Sequence, residues 1–201
     1  MKSLALELSS ARGSLALLND GDVAFDRKWQ NDRKNSGPFF EYLAEVQSKS
    51  GKPDIIIVGL GPGSYAGTRI AISAAIGLQA ASQTRLIGFP SICAIECEAD
   101  EYCVIGDARR QAFFFARVRD NRLIEDPTLM PEAELRENLD KVDRKMSIFA
   151  TEKLSQFAGA KIRYPSAKLL ARFASDSNRS FTQPPLEPIY LREPHITAPK
   201  R

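Results

Sequence analysis

Histidine and cysteine are scarce in this chain of 201 residues, with one of the former and three of the latter. One histidine, His195, cannot supply a paired-histidine metal site, and no HExxH is present; it is expected in a solvated loop. The three cysteines, Cys93, Cys97 and Cys103, are odd in number and carry no CxxC. Buried thiols in a reducing cytoplasm are therefore expected, and neither a disulfide framework nor a metal site. Apolar runs are short: none approaches the roughly 20 residues of a membrane-spanning helix. The opening Met1-Lys2-Ser3 leads directly into an alternating stretch too brief for a secretory segment. Charge of neither sign dominates. The net charge is +3, and the basic pairs Arg27-Lys28, Arg33-Lys34 and Arg109-Arg110 are separated by acids. That leaves no stripe for a dedicated nucleic-acid module. What is present, 43% hydrophobic and 26% charged residues, is enough to bury the core of one domain or two small ones.

Periodicity gives an α/β chain. Residues 4–8 and 14–18 read as strands, "NDGD" as a hairpin turn, and residues 23–29 as a third strand. Phe39, Phe40, Leu43 and Val46 recur at helical spacing after Pro38. "DIIIVGLG" reads as a strand buried on both faces. A helix over 68–82, the strand "RLIGF" and a helix over 91–98 follow. The pattern then restarts with strands at 102–110, "AFFFARVR" and "RLIED". After these come a helix over 131–139, a strand over 147–150, and helices over 151–158 and 166–175. The order β-β-β-α-β-α thus occurs twice about a hundred residues apart, which suggests a division into 1–100 and 101–201, the second half compact. Glu7 and Asp107 hold matching places, each closing the first strand of its half.

The stretch "GLGPGSYAGTRI" between strand and helix admits three readings. A P-loop requires a Lys after the last glycine, and here Gly67 is followed by Thr68 and Arg69. The dinucleotide fingerprint fits Gly61, Gly63 and Ala66, but the next strand, ending "LIGFPS", lacks the acid that holds the ribose. Pro62 also removes one N–H from the turn. The third reading makes Gly61, Gly63, Ser64 and Gly67 architectural, allowing a tight turn and close helix packing. Anion binding at the helix N-terminus is then secondary. The helix that follows carries Ala71, Ala74, Ala75 and Leu78, suited either to a dense core or to an interface with another subunit.

"GLGPGSYAGTRIAISAAIGLQ" resembles the signature of the TsaB family. "LALELSS", "GDARRQAFFFA" and "PIYLR" fall in the family's order along nearly the whole chain. The resemblance implies a duplicated actin-like (ribonuclease H-like) fold, in agreement with the repeat. It also implies a non-catalytic subunit of the bacterial machinery that makes threonylcarbamoyladenosine in tRNA. Such a subunit needs no cofactor of its own. It binds the catalytic paralogue TsaD, helps to recruit the ATPase TsaE, and meets tRNA only through the complex. Two departures stand out: the usual Asp closing the first strand is Glu7, and the usual H-S-E reads Asn35-Ser36-Gly37. With Glu7 lengthened, and Asp107 followed by Arg109 and Arg110, strong ATP hydrolysis is not expected.

Expectations for the site follow. Phe39, Phe40, Leu43, Arg69, Ala71, Ala74, Ala75 and Leu78 form the partner interface, which without a partner would close as a two-fold dimer. Arg69, awkward at a helix start because of the dipole, is expected either to pair with an acid or to sit in solvent. Glu7, Asp107 and Arg109 are either a remnant ligand site or, for the latter two, a local ion pair. Arg192 anchors the C-terminal segment. The alternatives are a small magnesium-dependent ATPase or phosphotransferase built on Glu7 and Asp107, and a dinucleotide-binding enzyme.

Overall fold

The computed structural model describes residues 1–31, 36–143 and 145–191. Arg33-Lys34, Asn35, Arg192 and His195, named above, lie outside these residues. The chain runs β1 (Lys2–Glu7), β2 (Arg12–Asn19), β3 (Asp22–Gln30), α1 (Gly37–Ser50), β4 (Ile55–Gly59), α2 (Tyr65–Ser82) and β5 (Arg85–Phe89). After a four-residue 3-10 turn, Ser91–Ala94, come β6 (Glu101–Asp107), β7 (Ala112–Arg119), β8 (Arg122–Leu123) and β9 (Thr128–Pro131). The last elements are α3 (Glu132–Lys141), β10 (Ser147–Ala150), β11 (Lys161–Ile162) and α4 (Ala167–Phe173).

Two sheets repeat one plan. In the first, ordered β3-β2-β1-β4-β5, β1 is antiparallel to β2 and parallel to β4. In the second, ordered β11-β10-β6-β7-β8, β6 is antiparallel to β7 and parallel to β10. Glu7 and Asp107 therefore end equivalent central strands, opposite Ser14 and Phe113. This is the duplicated mixed α/β architecture expected of an actin-like fold.

Alternation along the strands sorts the core into layers. Leu4, Leu6, Leu15 and Leu17 face one side of the first sheet, where they meet Phe39, Leu43, Val46, Ala71, Ile72 and Ala75 from α1 and α2. Ala5, Ala16 and Leu18 face the other side, in a core shared with Val104, Phe114 and Phe149 of the second sheet and with α4. Trp29 clamps α1 onto β3, its ring 6.4 Å from Phe39 and 5.3 Å from Tyr42. The C-terminal segment returns to the first half: Leu186 is buried in the α1–α2 core, and the Ile189 N–H donates to the Leu60 carbonyl at 2.8 Å.

Four local expectations are corrected. The helix over 91–98 shrinks to the 3-10 turn, because all four of its residues are buried and Ile95 is drawn out to bridge Pro165. Cys93 and Cys97 therefore do not share a helix face. "RLIED" contributes only two strand residues. Pro127 follows its acids and breaks the run, and β9 takes over the pairing with β7. Residues 151–158 form bends and turns, from which Leu154 and Phe157 reach the core despite their helix-like spacing. Finally, α2 begins at Tyr65 rather than Thr68, because the Ser64 hydroxyl caps it by accepting from the Gly67 N–H at 3.3 Å.

Candidate functional site

The glycine turn joins β4 to α2 and is bound by serines on both sides. The Gly61 N–H donates to the Ser91 hydroxyl at 2.9 Å, and the Ser91 N–H returns a bond to the Gly61 carbonyl at 2.7 Å. The Ser64 N–H donates to the Ser9 carbonyl at 2.6 Å. Gly61 has φ of +90°, a conformation that suits glycine. A side chain at Gly63 would collide with the Ser9 carbonyl oxygen, and one at Gly67 with that of Leu8. The glycines thus let α2 lie directly against the β1–β2 turn.

Glu7 sits beneath this junction. It is fully buried, one carboxyl oxygen accepts the Ser9 N–H at 2.6 Å, and the other has no hydrogen-bond partner among the described residues. Gly59 is bare because a Cβ there would overlap that second oxygen. Burial raises the Glu7 pKa above the ordinary carboxyl value, opposed by hydrogen bonding from Ser9.

Between the two halves lies a cleft of about 500 Å³. Ser9, Ser64, Asp107, Arg109, Glu152 and Tyr190 are among the residues lining it, and Glu7 is not. The structure therefore does not bring Glu7 and Asp107 into one cavity. Asp107 instead pairs with Arg109 at 2.8 Å and also accepts the Arg109 N–H at 2.6 Å. Arg109, Arg110 and Gln111 all have positive φ, which curls this turn back onto its own acid.

The helices divide their candidate residues between inside and outside. Phe39, Leu43, Ala71 and Ala75 face the core, with Ala71 and Ala75 at 0% exposure. Ala74 and Leu78 are half-buried, while Phe40 is 50% exposed. Sequence reasoning missed Ile76, which is 46% exposed, and the open space beside Gly77. Helical phase locates Ile76 only once the inward residues are known. Arg69 pairs with an aromatic ring rather than an acid: its guanidinium lies 5.1 Å from the Tyr65 ring and donates to the Tyr65 hydroxyl. Tyr65 in turn stands 5.6 Å from Tyr190. Tyr65 sits inside the glycine signature and Tyr190 in "PIYLR", yet no sequence spacing pairs them.

The family model TsaD, tRNA N6-adenosine threonylcarbamoyltransferase, matches residues 38–183. Two solved structures share the fold with a TM-score of 0.72. YeaZ from Pseudomonas aeruginosa is 21% identical over 94% of this chain and 99% of its own. An uncharacterized protein with similarity to peptidase YEAZ, also from Pseudomonas aeruginosa, is 22% identical over 95% and 99%. No curated protein sequence matches significantly. Among the described residues no helix is long and apolar enough to cross a membrane.

Proposed function

The chain belongs to the TsaD family, and from that membership we propose that it serves threonylcarbamoyladenosine modification of tRNA as a TsaB-like accessory subunit. It acts by binding a TsaD-like catalytic subunit, with a TsaE-like ATPase and tRNA joining through the complex.

The observation that carries this reading is the outward face of α1 and α2. Both helices cover the same side of the first sheet, and each presents a residue about half exposed, Phe40 on α1 and Ile76 on α2. Gly77 leaves room for a partner's backbone to approach, and Ala74 and Leu78 lie at the margin. A face of roughly 800 Å² per partner suffices for a specific complex. In the absence of the partner, the same face closes on a second copy about a two-fold axis. Glu7 is sealed under the glycine turn, and the Gly61 and Ser64 amides of that turn bond within the chain.

The test is reconstitution with the TsaD-like subunit of the same organism, the ATPase, the activated threonylcarbamoyl donor, ATP and tRNA. Modification should depend strictly on this chain, which alone should turn nothing over. Full activity without it, together with no complex on gel filtration, would overturn the proposal.

A further inference from the structure

The partner reading makes no use of the cleft between the halves, and the lining of that cleft is chemically selective. Segments far apart in sequence meet there at the C-terminal ends of central strands, where α/β sheets take ligands. The β1–β2 turn supplies Ser9, the β6–β7 turn Asp107, the end of β10 Glu152, and the returning C-terminal segment Tyr190.

A phosphate chain would find no unpaired cation among the described lining residues. Phosphates are cradled by free backbone N–H groups and by cations. Here the Gly61 N–H is taken by Ser91, the Ser64 N–H by the Ser9 carbonyl, and the Gly67 N–H by the Ser64 hydroxyl. The Thr68 N–H bonds the Ser64 carbonyl at 2.9 Å, and Pro62 has none to offer. Arg109 is the one cation lining the cleft among the described residues, and Asp107 neutralises it at 2.8 Å. Glu152 adds a second carboxylate that repels phosphate.

The same lining suits a nucleoside. Tyr65 and Tyr190 both border the cleft with rings 51% and 41% exposed as residues, and Arg69 packs against Tyr65, making a platform for a planar base. Carboxylates accept hydrogen bonds from ribose hydroxyls, as the acid of dinucleotide-binding sites does. We propose that this cleft binds an uncharged nucleoside in preference to a nucleotide polyphosphate, the base against Tyr65 and Tyr190 and the ribose on Glu152 and Asp107.

This inference does not rest on the partner reading, because the isolated chain is sufficient to test it. Calorimetric titrations would use adenosine, guanosine, cytidine and uridine, then AMP and magnesium-ATP. At least one nucleoside should saturate, and magnesium-ATP should bind about tenfold more weakly or worse. Tyr190→Ala and Glu152→Gln should each weaken nucleoside binding about tenfold, with the urea midpoint unchanged because both side chains are partly exposed. Three outcomes would each overturn the proposal: no saturation by any nucleoside up to about 5 mM, tighter binding of magnesium-ATP, or affinities indifferent to both substitutions.

Discussion

Placing an aspartate at Ile76 and, separately, at Ala75 separates interface from core on one helix. Ile76 is 46% exposed and Ala75 is 0% exposed, although they are neighbours in sequence. Taking roughly 180 Å² for a fully exposed isoleucine, about 80 Å² of Ile76 remains for a partner to cover, worth about 2 kcal/mol at ~25 cal/mol per Å². Ile76→Asp forfeits that and adds a carboxylate to be desolvated, so partner affinity should fall by about 25-fold or more. Its cost to the isolated chain should stay within about 1 kcal/mol, as for other surface changes. Ala75→Asp instead drives an unpaired charge into the Leu6–Val58 side of the first sheet and should cost several kcal/mol, on the order of the whole stability of a small domain. The assays are urea unfolding of each variant and surface plasmon resonance against the TsaD-like subunit. Undiminished binding by Ile76→Asp would refute the assignment of this face. So would a loss of stability equal to that of Ala75→Asp.

Three further outcomes follow from the same contacts. Gly67→Ala pushes a methyl group into the Leu8 carbonyl and should lower stability by about 1–3 kcal/mol; a neutral result in urea titration would show that α2 can shift away from the β1–β2 turn. Because burial raises the Glu7 pKa above 4.5, the folded chain holds a proton that the unfolded chain has released. That stabilisation is complete below the unfolded value and is lost as pH rises through the folded one. Glu7→Gln should therefore gain stability relative to the parent as pH rises above the ordinary carboxyl value, and a pH-independent difference would contradict a buried titrating acid. Burial pushes the Cys93 thiol up to about 12 and the Cys103 thiol up to about 11, whereas Cys97 is only half-buried. Native protein should consequently react at Cys97 first with a thiol reagent, as mass spectrometry of the labelled chain would show; early labelling of Cys93 would mean that the central core opens readily.

Much of the first half is readable from residue order because its contacts are local. Leu4–Leu6 and Leu15–Leu17 alternate across a short turn, and the β-branched run Ile55–Gly59 marks a strand covered on both faces. The glycine turn was legible for the same reason, since its constraints lie within a few residues of Ser64. The second half was harder. Leu154 and Phe157 have helical spacing yet reach the core from turns, and β9 displaces "RLIED" through a pairing that no local pattern announces. The site was least legible where it is most composite. Ser9, Glu152 and Tyr190 meet only because two sheets are set side by side, and the inward phase of α2 became visible only once Ala71 and Ala75 were seen against the strands.

The return of the C-terminal segment has a consequence for how the protein is made. Leu186 completes the core beneath α1 and α2, the Thr182 N–H and carbonyl bond Gly88 at the edge of β5, and Ile189 bonds Leu60 beside the glycine turn. On a ribosome that delivers residues in order, the half begun first is finished last. Until residues near 189 emerge, the β5 edge and the apolar floor of α2 remain uncovered, and they are the surfaces on which a nascent chain would be held by a chaperone. A stop codon or protease cut a dozen residues short of Tyr190 would therefore unmake the beginning of the protein more than its end.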